Sequence, residues 1–164
     1  MVAIREASKN DIAAITDIFN DAIENTDAIW MEKTVDETAR RDWWLSLREK
    51  GFPVLVANIN GQCIGYASFG PFRPYEGYQH TAELSIYIEK THHGKGIGKQ
   101  LLAALIEKAK EKKIHILIAG IEANNIASIQ LHKNFGFNET ARMPEVGKKR
   151  GKWLDLVFMQ KTIA

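Results

Sequence analysis

The chain has little cysteine, no long apolar run and little net charge, and each of these absences excludes a class of protein. Cys63 is its one cysteine, so no disulfide can form within the chain. No run approaches the roughly 18 uninterrupted apolar residues of a membrane-spanning helix. The first residues also lack the basic-then-apolar order of a secretion signal. We therefore expect a cytoplasmic protein without a membrane partner, in which Cys63 is a buried structural thiol.

Charge is nearly balanced, with 22 Lys and Arg against 20 Asp and Glu. Both signs are scattered, whereas nucleic-acid binders concentrate basic residues on one face, so we expect no nucleic-acid partner. One basic cluster, at 148–152, includes a glycine and follows another, which favours a solvated hairpin turn. The five histidines show no zinc spacing, and we expect no metal.

The 45% hydrophobic content is enough for one core, and we expect a single domain over residues 1–164. Apolar periodicity and turn residues, such as Asn60 and Gly61, divide the chain into seven strands and four helices. The predicted strands are 2–6, 54–59, 63–69, 81–88, 114–122, 138–143 and 153–161, and the predicted helices are 12–23, 34–50, 97–110 and 125–134. This order mixes hairpins with strand–helix–strand crossovers, which predicts a mixed α/β sheet with helices on both faces.

The clearest functional signal is a glycine-rich turn between a strand and a helix. The strand at 81–88 leads into Gly94, Gly96 and Gly98, and a helix begins at once. Glycines allow successive backbone N–H groups to point into one concavity, and a helix N-terminus adds partial positive charge. A phosphate or pyrophosphate is the expected occupant, with Lys95 and Lys99 adding positive charge nearby.

Three nucleotide sites could use such a turn. A Walker A loop needs Ser or Thr after Gly-Lys, but Gln100 follows Lys99. A dinucleotide fingerprint needs G-x-G-x-x-G, whereas the spacing here is G-x-G-x-G. Coenzyme A is the third possibility.

The turn resembles the acetyl-CoA motif of the GNAT acetyltransferases, Q/R-x-x-G-x-G/A. His93 stands at the Gln/Arg position, and Gly96 and Gly98 match. Residues 125–137 resemble a second family stretch, N-x-x-A/S-x-x-L-Y-x-x-x-G-F, with His132 in place of Tyr. The resemblance covers nearly the whole chain in element order. It implies a GNAT-like fold, with a mixed, mostly antiparallel sheet of about seven strands, and acetyl-CoA as co-substrate.

A narrower resemblance is to the phosphinothricin and methionine sulfoximine acetyltransferases. The segments that carry it are 28–30, 72–74, 81–83, 85–87, 131–132 and 153–160. The subgroup acetylates the α-amine of glutamate-like or methionine-derived amino acids, and His for Tyr at position 132 is characteristic of it. The resemblance therefore implies a small-molecule amine acceptor, direct attack of that amine on the thioester, and a homodimer.

Two side chains are the catalytic candidates that the resemblance implies. Glu83 is the first candidate for the general base, acting directly or through a water; a solvated or salt-bridged carboxylate is the alternative. His132 is the second, either as base or as acid for the departing CoA thiolate, unless it is a structural histidine. Backbone N–H groups near Ser85 to Ile88 would meet the oxyanion.

The candidate binding residues fall into two groups. For acetyl-CoA they are Ser85, Ile86, Tyr87, Ile88, His93, Gly94, Lys95, Gly96, Ile97, Gly98, Lys99, Asn125 and Ser128. For the acceptor they are Trp30, Phe72, Arg73 and Tyr78. Arg73 is interpreted as a bidentate clamp for a carboxylate among aromatic walls, or else as a surface arginine stacked on an aromatic ring. Asn125 would contact the pantetheine arm, cap its helix, or both.

Other functions remain open. Another amine could be the acceptor, such as a polyamine, an aminoglycoside or a protein N-terminus. A polycationic acceptor would favour an acidic pocket, which the Arg73 loop argues against. A non-catalytic acetyl-CoA sensor would keep the glycine turn but lose the acid–base residues, whereas Glu83 and His132 are both present.

Overall fold

Seven strands form one mixed sheet in a computed structural model that describes residues 1–163. The strands are β1 Ala3–Glu6, β2 Val54–Ile59, β3 Gln62–Pro71, β4 Thr81–Ile88, β5 Ile116–Glu122, β6 Asn138–Lys149 and β7 Lys152–Thr162. The helices are α1 Ile12–Asn25, α2 Glu37–Glu49, α3 Ile97–Glu111 and α4 Ile126–Asn134. The strand order is β1-β2-β3-β4-β5-β7-β6, and β4–β5 is its one parallel pair among the described residues. The predicted fold, a mixed and mostly antiparallel sheet of about seven strands, is confirmed.

The two faces of the sheet carry separate cores. Alternate residues of β2 divide between them, since Val54 and Val56 pack with α1 and Trp44 of α2, while Leu55 and Ala57 pack with α3. This follows from the period of two in a strand. The helices therefore cover both faces, as predicted.

The parallel pair opens part-way along its length. Pairing of β4 with β5 runs from Thr81↔Ile116 to Leu84↔Ala119 and stops there, although both strands continue. The facing edges of 85–88 and 120–122 therefore have no ladder partner on that side. Backbone N–H and C=O groups need partners, so this splay is suited to a ligand that supplies them.

Strand β6 runs further than the predicted 138–143. Its register with β7 shifts between Met143 and Gly147, where the backbone N–H of Glu145 donates to Asp155 Oδ1 at 2.8 Å. This bulge lets pairing resume at Gly147 and continue to Lys149. The sequence pattern showed only the first segment because Pro144 and the bulge interrupt the alternation.

The basic hairpin at 148–152 corrects a second expectation. A turn is present, with positive φ at Arg150 and Gly151. It is not solvated throughout, because the Lys149 side chain is fully buried and bonded to backbone carbonyls near the end of α1. The last carbonyls of a helix lack intrahelical donors, and a lysine can supply them.

No helix within residues 1–163 is both long enough and apolar enough to cross a membrane.

Candidate active site

A cavity of about 450 Å³ fills the splay between β4 and β5. Most residues predicted to bind acetyl-CoA line it, as does His132. These lining residues are Ser85, Ile86, Tyr87, Ile88, His93, Gly94, Gly96, Gly98, Lys99, Asn125 and Ser128. Lys95 and Ile97 do not line it, and the Ile97 side chain is buried in the core. Three separate stretches of sequence, 85–88, 93–99 and 125–132, thus meet at one opening.

The glycine turn forms one end of this cavity. Gly94 and Gly96 have φ of +75° and +78°, values that residues other than glycine rarely adopt. The N-cap of α3 is Gly96, which has no side chain to accept a hydrogen bond from the first turn of the helix. No atom lies within 4 Å of where a Cβ at either residue would be, so the space above the turn is open. The first N–H groups of α3 are therefore available to an anion.

Gly98 is small for another reason. A Cβ there would lie 3.4 Å from both Ile88 Cδ1 and Leu131 Cδ2. The first turn of α3 thus approaches the end of β4 and the side of α4. This close approach brings the glycine turn to the mouth of the splay.

The Glu83 carboxylate lies at the other end of the splay. Its Oε2 is 3.1 Å from where a Cβ on Gly120 would be, and Gly120 lines the cavity. Burial raises the pKa of Glu83 above its ordinary value, while the positive charge of Arg73 lowers it in part. A carboxyl with a raised pKa is a stronger base in the neutral pH range than an ordinary one.

The four acceptor candidates occupy two places. Phe72, Arg73 and Tyr78 line a separate cavity of about 610 Å³ beside the start of β4. The Arg73 guanidinium carbon is 5.4 Å from the Phe72 ring centroid, and Phe72 contacts Phe158, whose ring lies against Gly120. Both interpretations of Arg73 have support, because it stacks on Phe72 and its charge also acts on Glu83.

The His132 ring has one bonded nitrogen and one unpartnered nitrogen. Its Nδ1 lies 2.8 Å from the Ser128 carbonyl oxygen, which can only accept, so Nδ1 carries the hydrogen. Nε2 is buried and has no hydrogen-bond partner among the described residues. The residue is 3% exposed, and burial lowers its pKa below the ordinary value. The neutral ring therefore presents Nε2 as a proton acceptor.

A family profile described as acetyltransferase (GNAT) domain matches residues 4–158. The chain belongs to the GNAT acetyltransferase family. It is therefore an acyltransferase, and the fold implied by the glycine turn and the 125–137 stretch is the fold it has.

Three curated relatives cover almost all of this GNAT chain. The L-methionine sulfoximine/L-methionine sulfone acetyltransferase of Salmonella typhimurium is 49% identical over 97% of this chain and 93% of its own length. The L-amino acid N-acyltransferase MnaT of Escherichia coli is 48% identical over 97% and 92%. The phosphinothricin N-acetyltransferase of Alcaligenes faecalis is 34% identical over 98% and 82%.

Solved GNAT structures superpose closely. A ribosomal-protein-alanine N-acetyltransferase from Brucella melitensis has a TM-score of 0.97 and 54% identity, covering 98% of this chain and 99% of its own. The structure of yncA, a putative acetyltransferase of Salmonella typhimurium, with acetyl-CoA has a TM-score of 0.97 and 48% identity, covering 99% and 94%. A phosphinothricin acetyltransferase from Sinorhizobium meliloti in complex with acetyl-CoA has a TM-score of 0.95 and 33% identity, covering 98% and 88%.

His93 occupies the family position for Gln or Arg. Its ring Nε2 lies 2.8 Å from the Ile88 carbonyl oxygen, and its backbone N–H donates to the Lys90 carbonyl at 3.2 Å. Both groups thus hold the turn against the end of β4. The imidazole lines the cavity from this fixed position.

Trp30 lies beside the cavity without lining it. Its indole N–H donates to the Asp27 carbonyl at 2.9 Å, and its ring packs against Gly147 of β6. Ala28 lines the cavity instead, from the same connection between α1 and α2. Trp30 as a wall of the acceptor site stays a prediction.

Ala28, Gly120, Glu122 and Leu131 line the cavity, although the sequence patterns did not single them out as site residues. Glu122 is buried and accepts the backbone N–H of Asn124 at 3.0 Å, which shapes the turn after β5. Gly120 could have been found, because a glycine inside an apolar strand signals a close approach. Ala28 lies in the 28–30 segment that carries the narrower resemblance, but that resemblance assigned the site role to Trp30.

Proposed function

We propose that the protein transfers the acetyl group of acetyl-CoA to the α-amine of a small L-amino acid or analogue of the methionine sulfone, methionine sulfoximine or phosphinothricin type. One observation carries the proposal: Glu83, with its raised pKa, lies between Gly120 of the splay and the charge of Arg73. Glu83 and Arg73 do not line the main cavity themselves, but Glu83 lies against Gly120, which does, and the glycine turn forms the other end of that cavity. The names of the curated relatives support the acceptor class.

Acetyl-CoA fits the groups present. The open N–H groups at Gly96 and the start of α3 would hold the pyrophosphate, and Lys99 adds charge at the same end. The free edge of 85–88 would bond the pantetheine arm and the thioester oxygen. The Asn125 side chain accepts the Ser128 N–H at 3.2 Å, so it caps α4, and its amide N–H₂ remains for the arm.

The proposed reaction is direct transfer. The neutral amine attacks the thioester carbonyl carbon, a C–N bond forms, the C–S bond breaks, and CoA leaves as a thiolate. Glu83 takes the amine proton, directly or through a water. The thiolate, with a pKa of about 8.5 if it resembles cysteine, then takes up a proton. His132 Nε2 can receive a proton and pass it to the sulfur, because its lone pair faces no protein donor.

A covalent acetyl-enzyme is not part of the proposal. Cys63 is buried, and burial raises its pKa to about 11, so little thiolate exists at neutral pH.

The Arg73 guanidinium is proposed to bind the acceptor carboxylate. Guanidinium and carboxylate form paired N–H···O bonds, and Arg73 already lies close enough to Glu83 for its charge to be felt there. An acceptor held this way places its α-amine near the base. Trp30, Phe72 and Tyr78 are proposed to complete the acceptor walls.

A cytoplasmic homodimer is proposed as the working form. The lone reduced cysteine supports the compartment. Trp153 and Val146 on the β6–β7 hairpin are 57% and 53% exposed, which supports an apolar surface covered by a second copy. Sedimentation equilibrium tests the dimer, and a monomer at all concentrations would contradict it.

A protein N-terminus is the second candidate acceptor, because the Brucella melitensis structure with 54% identity is called a ribosomal-protein-alanine N-acetyltransferase. A panel separates the candidates: methionine sulfone, methionine sulfoximine, phosphinothricin, spermidine and a peptide beginning with alanine, each with acetyl-CoA. Thiol release is followed by absorbance and products by mass spectrometry. We expect activity on at least one of the first three and little on spermidine. Activity confined to the peptide or to spermidine would overturn the proposal.

A further inference from the structure

The Lys149 ammonium is buried in a cage of backbone carbonyls. Its side chain is 1% exposed, and Nζ donates to the carbonyl oxygens of Ile23, Thr26 and Ile29 at 2.8, 2.6 and 2.6 Å. An ammonium has three N–H donors, and all three are used here. Lys149, at the end of β6, is thus hydrogen-bonded to three residues of 23–29, which comprises the last turn of α1 and the start of the connection that follows it.

Other contacts join the same two segments. The Arg150 guanidinium donates to the Ile23 and Glu24 carbonyls, and Lys152 Nζ lies 2.7 Å from Asp27 Oδ2. These bonds reinforce the hold of the hairpin on 23–29.

Gly147 faces the same side of β6 as Lys149, two residues away. A Cβ at Gly147 would lie 2.2 Å from two ring atoms of Trp30, so only glycine admits the indole there. Strand and connection therefore interlock by shape as well as by hydrogen bonds.

The connection held in this way forms part of the site wall. Ala28 lines the main cavity and also an adjoining cavity of about 340 Å³, which contains Ile86, Tyr87 and Asp27. Lys149 lines neither cavity. Any effect of Lys149 on the reaction must therefore pass through the position of 23–29.

The connection 23–29 lies on the face of the sheet that carries Glu83, and its Ala28 lines the cavity in which the amine must meet the thioester. Side chains of β4 alternate, and Leu84, Ile86 and Ile88 pack with the α3 core, whereas Tyr87 packs against Phe19 of α1. Glu83 shares the face of Tyr87. The connection after α1 lies on that face, while the glycine turn leads to α3 on the other.

We infer that Lys149 is a positioning residue for the amine acceptor: by bonding three carbonyls of 23–29 it fixes the wall that faces the acceptor. The inference rests on the proposed function for the identity of the acceptor. Removing the ammonium takes the Lys149 donor from the Thr26 and Ile29 carbonyls and leaves the Ile23 carbonyl with Arg150 alone. Buried polar groups need partners, so the segment must move to find water.

The test compares Lys149→Met with Lys148→Met. Lys148 is exposed and only stacks on Trp153, so its variant is the matched control. We expect Lys149→Met to raise the acceptor KM about tenfold or more and the acetyl-CoA KM by a smaller factor, because the glycine turn that would hold the pyrophosphate is bonded to the end of β4 through His93 and not to 23–29. Lys148→Met should change neither. A folded Lys149→Met with both KM values unchanged, or both raised equally, overturns the inference.

Lys149→Gln decides the matter if Lys149→Met does not fold. Its shorter side chain offers two amide N–H donors where three carbonyls are bonded, so an acceptor-selective rise is again expected. An unchanged acceptor KM in that variant overturns the inference.

Hydrogen exchange keeps this test separate from the proposed function. Amides of 23–30 should exchange faster in Lys149→Met, or in Lys149→Gln if that is the folded variant, and this is measured without any acceptor. A wild-type protein inactive on every amino acid would refute the proposed function while exchange still reports on the interlock. Unchanged exchange at 23–30 refutes the interlock even if methionine sulfone is acetylated.

Discussion

Replacing Glu83 by Gln should separate catalysis from stability. The change keeps the shape of the side chain beside Gly120 and removes the base. General-base catalysis contributes roughly 10²–10⁴-fold to rate, which is about 2.7–5.4 kcal/mol of activation free energy. We expect kcat/KM for the acceptor to fall by that factor. The Kd for CoA should hold, because Glu83 lies at the end of the splay away from the glycine turn.

The same substitution should not lower the melting temperature. Burial raises the pKa of Glu83 in the folded protein, with Arg73 offsetting part of this shift. The folded state therefore keeps the proton at pH values where the unfolded chain has lost it. Stability from this group is greatest below the unfolded pKa and is lost as pH rises through the folded pKa. Above the unfolded pKa this group therefore lowers the stability of the fold, and neutral Gln should leave Tm unchanged or higher.

The assay combines initial rates, calorimetry with CoA and thermal unfolding, with Glu139→Gln as the control. Glu139 is an exposed carboxylate of β6 paired with Arg142 at 2.8 Å, outside the cavity. The control should keep full activity. Loss of CoA binding in Glu83→Gln, or a clear fall in Tm, would show that Glu83 is structural. Retained activity would show that it is not the base.

In Gly96→Ala the new Cβ would have no atom within 4 Å, so the loss of folding stability comes from the φ of +78° and is about 1 kcal/mol. Scanning fluorimetry should show Tm lower by about 2–4 °C, and calorimetry a CoA Kd raised about tenfold or more; unchanged affinity would refute the anion cradle. His132→Asn can keep the bond to Ser128 but lacks Nε2, so kcat should fall about 100-fold with an unchanged fold; full activity would make His132 structural. Arg73→Gln removes the charge that lowers the pKa of Glu83, so the acidic limb of the kcat/KM profile should move to higher pH and the acceptor KM should rise. A profile that stays in place would contradict that coupling.

Local signals account for what the sequence predicted well. Glycines at 94 and 96 mark positive φ, and the apolar stripe that includes Leu101 and Leu105 marks the helix that follows. These features depend on residues that are close together in the chain, so the spacing of residue types reveals them. The order of the elements could be predicted from such signals, and the fold could be predicted from that order.

The splay could not be predicted in the same way. It depends on where β4 and β5 stop pairing, after Leu84 and Ala119, and residues far apart in sequence decide this.

Lys149 shows a second limit. In the sequence it is one of several basic residues in a turn, and such residues are normally solvated. Its burial depends on three carbonyls more than 100 residues earlier in the chain. The packing of Trp30 against Gly147 was missed for the same reason, because that partner lies on a distant strand.

Initial rates with acetyl-CoA and methionine sulfone varied together test the central claim most directly. Direct transfer in the splay predicts N-acetylated methionine sulfone and double-reciprocal lines that intersect, because both substrates must be bound at once. Parallel lines would indicate an acetyl-enzyme intermediate, and thiol release without the N-acetyl product would show that the amine is not the acceptor. Either result would contradict the account.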